Sequence, residues 1–274
     1  MQDHDQPSTP PPPTPIADGV VAIVLAAGGS SRMGSVDKMW ADLGGAPVIA
    51  RALCAMAETP GVAAVIAVAP AERHAAIAAL LEGRGVRVRC VPGGARRQDS
   101  VAAGIAAAPD AAWYLVHDGA RALVTPALAA RVLDAARVHG SAVPGVPVVD
   151  TVKRVHPAIG PGAEAVLETI NRAPLRAIQT PQAFRGDLLR RAHAEVTADA
   201  TDDAAMVERL GLPVVVVAGD ATNIKVTTPV DLVVARALLA ARNAALVTDA
   251  GTADAPITDA PMTDARTPQR SGEE

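Results

Sequence analysis

Aromatic residues are scarce in this 274-residue chain, at 1% of all residues against 50% hydrophobic ones. The aromatic side chains are Trp40, Trp113, Tyr114 and Phe184. So few rings cannot build the stacking platform on which proteins bind single-stranded nucleic acid. The formal net charge of -4 also lacks the basic excess of nucleic-acid-binding proteins. We therefore expect no nucleic-acid partner and a core of Ala, Val, Leu and Ile, which favours buried strands and small-residue helices.

Cysteines and long apolar runs are also few. Cys54 and Cys90 lie far apart without a metal-ligand spacing, so we interpret both as small buried hydrophobic residues. The longest apolar run, Val20 to Ala27, is far shorter than the ~20 residues that span a bilayer. Residues 1–19 have no cationic stretch before an apolar one, which argues against a secretory signal. We expect a cytoplasmic protein without a membrane partner.

Both ends have the composition of disordered segments. Ser8 to Pro15 is nearly all proline, and Asp249 to Glu274 repeats a Thr-Asp-Ala theme with almost no large apolar residues. We expect disordered tails at 1–18 and 244–274 around one folded domain at 19–243, a length that suits a large α/β domain.

Apolar runs alternate with helical patterns in the first half of this domain. The predicted strands are Val20 to Ala26, Val62 to Val68, Val86 to Val91 and Ala112 to Val116. The predicted helices end near Glu58, Glu82, Ala108 and Val138. Repeated strand-helix units indicate an α/β fold with a mostly parallel sheet and helices on both faces.

After Gly140 the pattern changes to short extended pieces without helices between them, which predicts an antiparallel β-arm at about 147–178. The α/β pattern resumes with a helix over Asp202 to Leu210, a strand at Pro213 to Ala218 and a last helix from Pro229 to Arg242. Ligands of open α/β sheets bind at the carboxyl ends of strands, so we expect the chemistry in the loops that follow them.

A glycine-rich loop, Ala26 to Gly34, follows the first predicted strand. Its small residues let backbone N–H groups approach a polyphosphate, and Arg32 and Lys38 supply the positive charge that a triphosphate requires. The loop has neither the Gly-Lys-Ser/Thr ending of a Walker loop nor the Gly-x-Gly-x-x-Gly spacing of a dinucleotide-binding loop. A plain turn is the alternative.

The chain resembles the nucleotidyltransferases with a Rossmann-like sheet, whose first strand ends in Leu-Ala-Ala-Gly, followed by an arginine and then a lysine. Further segments narrow the resemblance, over residues 20 to 242, to the methylerythritol-phosphate cytidylyltransferases of isoprenoid precursor synthesis. They are Gly93–Val101, Val116–Arg121, Gln179–Phe184 and Asn223–Thr227. The resemblance implies transfer of CMP from CTP to 2-C-methyl-D-erythritol 4-phosphate, with release of pyrophosphate.

The resemblance assigns catalytic roles to Arg32, Lys38 and Lys225. It implies a CTP-binding set of Ala26, Ala27, Gly28, Ser30, Gly94, Ala95, Ser100, Asp118 and Gly119. A backbone turn at Gly94 and the hydroxyl of Ser100 could satisfy the hydrogen-bonding edge of cytosine. From the residues alone, an alternative makes Asp99 or Gln98 a helix cap and leaves Ser100 without a role.

Asp118 ends the fourth predicted strand, where a carboxylate could hold a triphosphate-bound Mg2+ or a substrate hydroxyl. A turn or cap residue is the alternative. The implied cofactor is Mg2+ or another divalent cation, held mainly by the CTP phosphates with Asp118 as a possible ligand. Arg121 adds an anion partner, whereas His117 is interpreted as structural because the reaction needs no proton shuttle.

Alternation in Asn223 to Thr227 puts Ile224 and Val226 on one face and Lys225 on the other. An isolated strand lysine is usually a solvated edge residue, whereas the resemblance makes it an active-site cation. For the acceptor the resemblance implies Asp118, Arg121, Thr151, Arg172, Thr180, Thr201 and Lys225. It also implies a homodimer in which two arms deliver Thr151 and Arg172 to the partner's site.

The chain departs from the family pattern in places. Asp37 stands where a proline commonly precedes the lysine, and an acid there could lower the effective charge of Lys38. Asn171 replaces the acid before the arm arginine, and Ala122 replaces a proline. Two alternatives stay open: a cytidylyltransferase for ribitol 5-phosphate or another sugar phosphate, and a noncatalytic nucleotide-binding module.

Overall fold

The computed structural model describes residues 19–27, 37–82, 88–160 and 162–252. The strands are β1 Val20–Leu25, β2 Val62–Val68, β3 Val88–Val91, β4 Trp113–Asp118, β5 Ser141–Pro147, β6 Lys153–Gly160, β7 Ala163–Thr169, β8 Arg176–Ile178, β9 Gln182–Arg185 and β10 Val215–Ala218. The helices are α1 Val48–Ala57, α2 His74–Leu81, α3 Arg97–Ala107, α4 Pro126–His139, α5 Gly186–Glu195, α6 Asp203–Arg209 and α7 Pro229–Thr252.

The main sheet has the strand order β10-β5-β9-β4-β1-β2-β3, and β8 pairs with β5. The pairs β1–β2, β1–β4, β2–β3 and β5–β10 are parallel. β9 runs antiparallel between β4 and β5. The predicted Rossmann-like, mostly parallel sheet is thus confirmed, with β9 as an insertion that the sequence patterns did not reveal.

Alternation along β1 divides the core into two layers. Val20, Ala22 and Val24 face one layer, where α1, α2 and α4 pack, while Val21 and Ile23 face the other, where α3, α5 and α6 pack. A strand buried on both faces reads as a continuous apolar run, as β1 does. The helices therefore cover both faces of the sheet, as predicted.

Helix α3 packs very close to β1. A Cβ added at Gly104 would lie 2.6 Å from Cγ2 of Ile23, so only glycine allows this approach. The helix begins at Arg97, earlier than the predicted start at Asp99, and the Asp99 carboxylate accepts the Arg96 N–H at 3.1 Å. The close packing places the first turn of α3 beside the carboxyl end of β1.

The predicted extended arm forms a two-stranded antiparallel sheet of β6 and β7, separate from the main sheet. Val155, Val166 and Leu167 on this arm are exposed. β8 then returns to the main sheet, where it pairs with β5. The sequence patterns thus predicted an extended arm. In the structure, β6 and β7 are the part of this arm that pairs outside the main sheet.

Two expectations need correction. Helix α7 does not end at Arg242, and residues 244–252 continue it rather than starting a disordered tail. The reason is local, since Asn243 is followed by Ala244, Ala245 and Leu246, which are good helix formers, and no Gly or Pro occurs before Gly251. Residues 1–18 and 253–274 of the predicted tails lie outside the described residues.

Neither Cys54 nor Cys90 forms a disulfide among the described residues, and both are half-buried, less enclosed than expected. Both pack against the layer of the core that contains α1. Among the helices of the described ranges, none combines the length and apolar character needed to cross a membrane.

Candidate active site

A cavity of about 260 Å³ lies at the carboxyl edge of the sheet, where the loops after β1, β3 and β4 meet. We call it the first cavity. Its lining residues are Leu25, Ala27, Lys38, Met39, Gly94, Ala95, Arg96, Arg97, Ser100, Asp118, Ala120 and Lys225. The lining thus places four cationic side chains around a single carboxylate, which suits a polyanionic ligand.

A second cavity of about 240 Å³ adjoins the first. The two share the three charged residues Arg97, Asp118 and Lys225. The rest of its lining is Arg121, Ile178, Gln179, Thr180, Gln182, Thr201 and Asp202. The second cavity is therefore rich in hydroxyl, amide and charged groups, and it meets the first at one set of charges.

Asp118 is the carboxylate at this junction. Its Oδ2 lies 2.8 Å from Nζ of Lys225 and 3.8 Å from Nε of Arg121, and its Oδ1 lies 3.7 Å from Nε of Arg97. Burial raises the pKa of Asp118, but attraction to Lys225 and Arg97 outweighs it, so this pKa lies below its ordinary value. The carboxylate is ionised at neutral pH.

Lys225 lies in an extended loop rather than in a paired strand. Val226 donates its N–H to the Ala120 carbonyl at 2.9 Å and is buried, while Ile224 packs against the cluster around α7. The Lys225 side chain on the opposite face is 43% exposed. The alternation expected from the sequence holds, and it directs the lysine to both cavities.

His117 supports the site from inside the sheet. It is fully buried, and burial lowers its pKa to about 4, so the ring is neutral at pH 7. Nε2 lies 3.2 Å from the Arg121 carbonyl, which only accepts, so Nε2 carries the proton and Nδ1 accepts. The Thr180 hydroxyl therefore donates to Nδ1 at 3.1 Å. This arrangement supports the structural interpretation of His117.

Thr180 links His117 to Asp118. Because its hydroxyl proton points at His117, its Oγ1 is free to accept the Asp118 backbone N–H at 3.0 Å. Asn223 holds the neighbouring backbone, donating Nδ2–H to the Thr180 carbonyl at 2.9 Å. The Arg121 guanidinium donates to the Asn223 carbonyl at 2.8 Å. The loops that carry Asp118, Thr180 and Lys225 are thus bonded together.

The turn after β3 requires both of its glycines. A Cβ at Gly93 would lie 2.3 Å from the Cβ of Ala27, and a Cβ at Gly94 would lie 2.3 Å from the Cβ of Asp99. Gly94 donates its N–H to Oγ of Ser100 at 3.1 Å. Asp99 stabilises the start of α3 by accepting the Arg96 N–H. Ser100 fixes the turn through Gly94 and also lines the first cavity.

Lys38 lines the first cavity beside an acidic neighbour, Asp37. The Asp37 carboxylate lies 3.1 Å from Nη2 of Arg73 and accepts the Met39 N–H at 3.1 Å. Arg73 in turn lies over the ring of Trp40, 5.2 Å from its centroid. Arg73 thus balances the negative charge of Asp37, which weakens the expected effect of this acid on Lys38.

Other site residues from the sequence are placed differently. Ala26 and Gly119 line neither cavity: Ala26 donates its N–H to the Val68 carbonyl at 2.7 Å, and Gly119 to the Leu25 carbonyl at 2.9 Å. Thr151 and Arg172 are exposed near the arm and line neither cavity, and Arg172 donates to the Val149 carbonyl. Gly28, Ser30 and Arg32 lie outside the described residues.

The sequence patterns missed five polar residues of the cavities: Arg96, Arg97, Gln179, Gln182 and Asp202. Gln182 donates Nε2–H to Oδ2 of Asp202 at 2.6 Å, and Asp202 caps α6 through the Ala205 N–H at 2.9 Å. The one available signal for Arg97 was the Arg-Arg pair just before Ser100. The separation of 20 residues between Gln182 and Asp202 gave no local signal.

Parallel strands end in a cation-lined cavity, and a second polar cavity shares its charges, as we expect of a Rossmann-like nucleotidyltransferase. A sequence model of the family "2-C-methyl-D-erythritol 4-phosphate cytidylyltransferase" matches residues 20–241. The chain belongs to this family.

Individual relatives agree with this assignment. The chain is 49% identical to the 2-C-methyl-D-erythritol 4-phosphate cytidylyltransferase of Nocardia farcinica over 227 residues, which cover 82% of this chain and 96% of the relative. The crystal structure of the enzyme of that name from Thermus thermophilus is similar with a TM-score of 0.66 and 38% identity, over 80% of this chain and 98% of that one. The crystal structure of the 4-diphosphocytidyl-2C-methyl-D-erythritol synthase of Anaerococcus prevotii is similar with a TM-score of 0.70 and 28% identity, over 81% of this chain and 98% of that one.

Proposed function

We propose that the protein transfers CMP from CTP to 2-C-methyl-D-erythritol 4-phosphate in the non-mevalonate route to isoprenoid precursors. The observation that carries this function is the pair of cavities joined at Arg97, Asp118 and Lys225. A bisubstrate transfer between two anions needs two adjoining sites with cations at their junction. The products are 4-diphosphocytidyl-2-C-methyl-D-erythritol and pyrophosphate.

The first cavity takes CTP. Its cationic lining suits the triphosphate, and the Gly93-Gly94 turn with the Ser100 hydroxyl offers backbone and side-chain groups to the edge of cytosine. Together with Ala95, this turn leaves room for a small base because its residues have little or no side chain. Ala27 and the glycine-rich loop that follows it, which includes Gly28 and Ser30, contact the phosphates.

The second cavity takes the acceptor. Thr180, Thr201, Arg121 and Asp118 present donors and acceptors that match the hydroxyl groups of a polyol phosphate. Lys225 lines both cavities, so it contacts the acceptor phosphate and the α-phosphate of CTP at the point where they meet.

In the reaction an acceptor phosphate oxygen forms a bond to the α-phosphorus of CTP. The bond from that phosphorus to the oxygen bridging to the β-phosphate breaks, and pyrophosphate leaves with the electron pair. The attacking group is already anionic at neutral pH, so no protein nucleophile or general base is required. Arg32, Lys38 and Lys225 stabilise the charge that builds on the α-phosphoryl oxygens.

The cofactor is a divalent cation, most simply Mg2+. Mg2+ is usually held by one or two carboxylates plus substrate phosphates, and it keeps several waters. Among the described residues, Asp118 is the one carboxylate in the lining of the first cavity, and no cluster of three acidic, His or Cys side chains occurs. This donor set fits an ion held mainly by the CTP phosphates, with Asp118 as its available protein ligand. Once bound there, the ion would neutralise part of the charge on the phosphoryl oxygens.

The active form is a homodimer that clasps through the β6–β7 arm, and its location is the cytoplasm. The exposed Val155, Val166 and Leu167 give the arm an apolar surface that a second arm would cover. Thr151 and Arg172, which line neither cavity of their own subunit, then reach the acceptor in the partner's site.

The test is pyrophosphate release with each of the four nucleoside triphosphates, with methylerythritol phosphate or ribitol 5-phosphate as acceptor. We expect turnover with CTP and methylerythritol phosphate, because a site that pairs with the edge of cytosine leaves its polar groups unpaired against other bases. Comparable turnover with UTP or ATP would contradict the cytidylyl assignment. Preference for ribitol 5-phosphate would change the acceptor, and no turnover with any pair would indicate a noncatalytic nucleotide-binding protein.

A further inference from the structure

Arg97 is a charged residue of both cavities for which the resemblance provides no role. It is the first residue of α3, and its side chain is 26% exposed. Its Nη1 lies 2.7 Å from Oδ2 of Asp203, and its Nε lies 3.7 Å from Oδ1 of Asp118. The guanidinium therefore bridges a carboxylate behind the site to the carboxylate at the junction of the cavities.

Asp203 is the rear anchor of this bridge. It is fully buried on α6 and lines neither cavity, and its Oδ1 lies 3.0 Å from Nε2 of His193. Burial raises the pKa of Asp203, but the His193 hydrogen bond and the Arg97 charge bring it below its ordinary value. A buried ionised carboxylate is costly to leave unpaired, so Asp203 holds Arg97 in place.

Arg97 and Lys225 act on different oxygens of Asp118. Oδ1 faces Arg97, whereas Oδ2 faces Lys225 and Arg121. A carboxylate contacted by cations on both oxygens has little freedom to rotate, because a rotation would lengthen at least one of these contacts. The orientation of Asp118 toward Lys225 thus depends on Arg97.

The remaining nitrogen of Arg97 argues against a purely structural role. Nη2 is buried and has no hydrogen-bond partner within the part of the chain that the structure describes. An unsatisfied buried donor costs about 1–3 kcal/mol. The ion pair that joins α3 to α6 uses Nη1 alone. Burial of the whole guanidinium therefore needs a second stabilising contact, and the contact of Nε with Asp118 is one.

We propose that Arg97, anchored on Asp203, is a positioning residue that holds the Asp118 carboxylate in place at the junction of the two cavities. It acts on the ligands through Asp118 rather than by touching the reacting atoms. The inference rests on the proposed function for the choice of ligand, because the product of that reaction would occupy both cavities and contact Asp118.

The test is a double-mutant cycle on product binding, read by calorimetry with 4-diphosphocytidyl-2-C-methyl-D-erythritol, so that it does not depend on turnover. Arg97→Gln should weaken product binding about tenfold in the wild-type background. In an Asp118→Asn background the same change should weaken it about twofold or less, because the group through which Arg97 acts is already altered. Arg97→Lys keeps a cation beside Asp203 and should fall between wild type and Arg97→Gln.

Arg190→Gln is the matched control. Arg190 is an arginine that donates to the backbone carbonyls of Pro109 and Ala111 and lines neither cavity. Its loss should leave product affinity unchanged in both backgrounds, even where it lowers the melting temperature.

Equal weakening by Arg97→Gln in both backgrounds, or unchanged affinity in the wild-type background, would overturn the positioning role. If Arg97→Gln does not fold, as a melting scan would show, Arg97→Lys replaces it in the cycle with the same criterion. Failure of the proposed function is a separate result, since it would appear as absent pyrophosphate release and absent product binding in the wild-type protein.

Discussion

The Lys225 ammonium lies 2.8 Å from Oδ2 of Asp118, and both side chains line both cavities of the site. The pair couples the carboxyl end of β4 to the extended loop before α7. Because Asp118 also faces Arg97 and Arg121, Lys225 is not needed to neutralise it alone. The ammonium can therefore share its charge with an incoming phosphate without leaving a buried carboxylate unpaired.

Lys225→Ala should lower kcat by on the order of 10²-fold or more, as removal of a preorganised charge-stabilising donor does. Steady-state pyrophosphate release at saturating CTP and acceptor measures it. Arg137→Ala is the control, because Arg137 is an exposed cation paired with Asp134 on α4 and lines neither cavity. A near-normal kcat in Lys225→Ala would reject the charge-stabilising role.

Ser100→Ala should raise the KM for CTP about tenfold, with a smaller effect on the KM for the acceptor. Without the hydroxyl, the first cavity loses a polar group and the Gly94 turn loses the acceptor that fixes it, and a hydrogen bond lost to the ligand is worth about 0.5–1.5 kcal/mol. Ser141→Ala is a matched control, since Ser141 is buried and donates to the Pro213 carbonyl away from the site. Equal changes in both KM values would mean that Ser100 supports the site as a whole.

The stability of the protein should fall as the pH is lowered from about 6.5 to about 4, and His117 should account for part of this loss. Its folded pKa of about 4 lies below that of an unfolded histidine, so in this window the unfolded chain binds more protons than the folded one. The free energy of unfolding then decreases with falling pH, by up to about 3 kcal/mol from this residue. The pKa of Asp118 is also depressed in the folded protein. The stability that its ionised form provides is therefore lost at lower pH, as the pH falls through this folded pKa.

Urea unfolding at pH 7 and pH 5 measures this effect in wild type and in His117→Gln, which keeps a donor for the Arg121 carbonyl. The variant should lose less stability between the two pH values than wild type does. His139→Gln, at an exposed position at the end of α4, should behave like wild type. An identical loss in wild type and His117→Gln would show that His117 is not the group that titrates.

Arg172→Ala and Lys225→Ala should each be inactive and should partly rescue each other when co-folded. If Arg172 serves the partner's site, a mixed dimer has one site with both lesions and one with neither. Random assembly then limits recovery to about a quarter of wild-type activity. Absence of rescue, with mixed dimers shown to be present by mass spectrometry, would place Arg172 in its own subunit's site or outside the chemistry.

Much of the fold could be predicted because β1, β2 and β4 are apolar runs followed by helical patterns, and these signals are local in the chain. β9 and α5 were missed. β9 is only four residues long and begins with Gln182, whose amide serves Asp202 rather than the core. For α5 the spacing of Leu188, Leu189 and Ala192, all buried, was an available helical signal.

The sequence by itself determined the strand-helix order from β1 to α4, the glycine turn after β3 and the segments in which Lys38, Asp118 and Lys225 lie. These features depend on neighbouring residues, through backbone conformation and the alternation of apolar side chains. Only the tertiary structure decided that Arg97 bridges Asp203 to Asp118, and that His117 fixes the Thr180 hydroxyl. These contacts join residues 21 to 106 positions apart, and their energies come from burial and charge pairing that exist only after the sheet and its helices have packed.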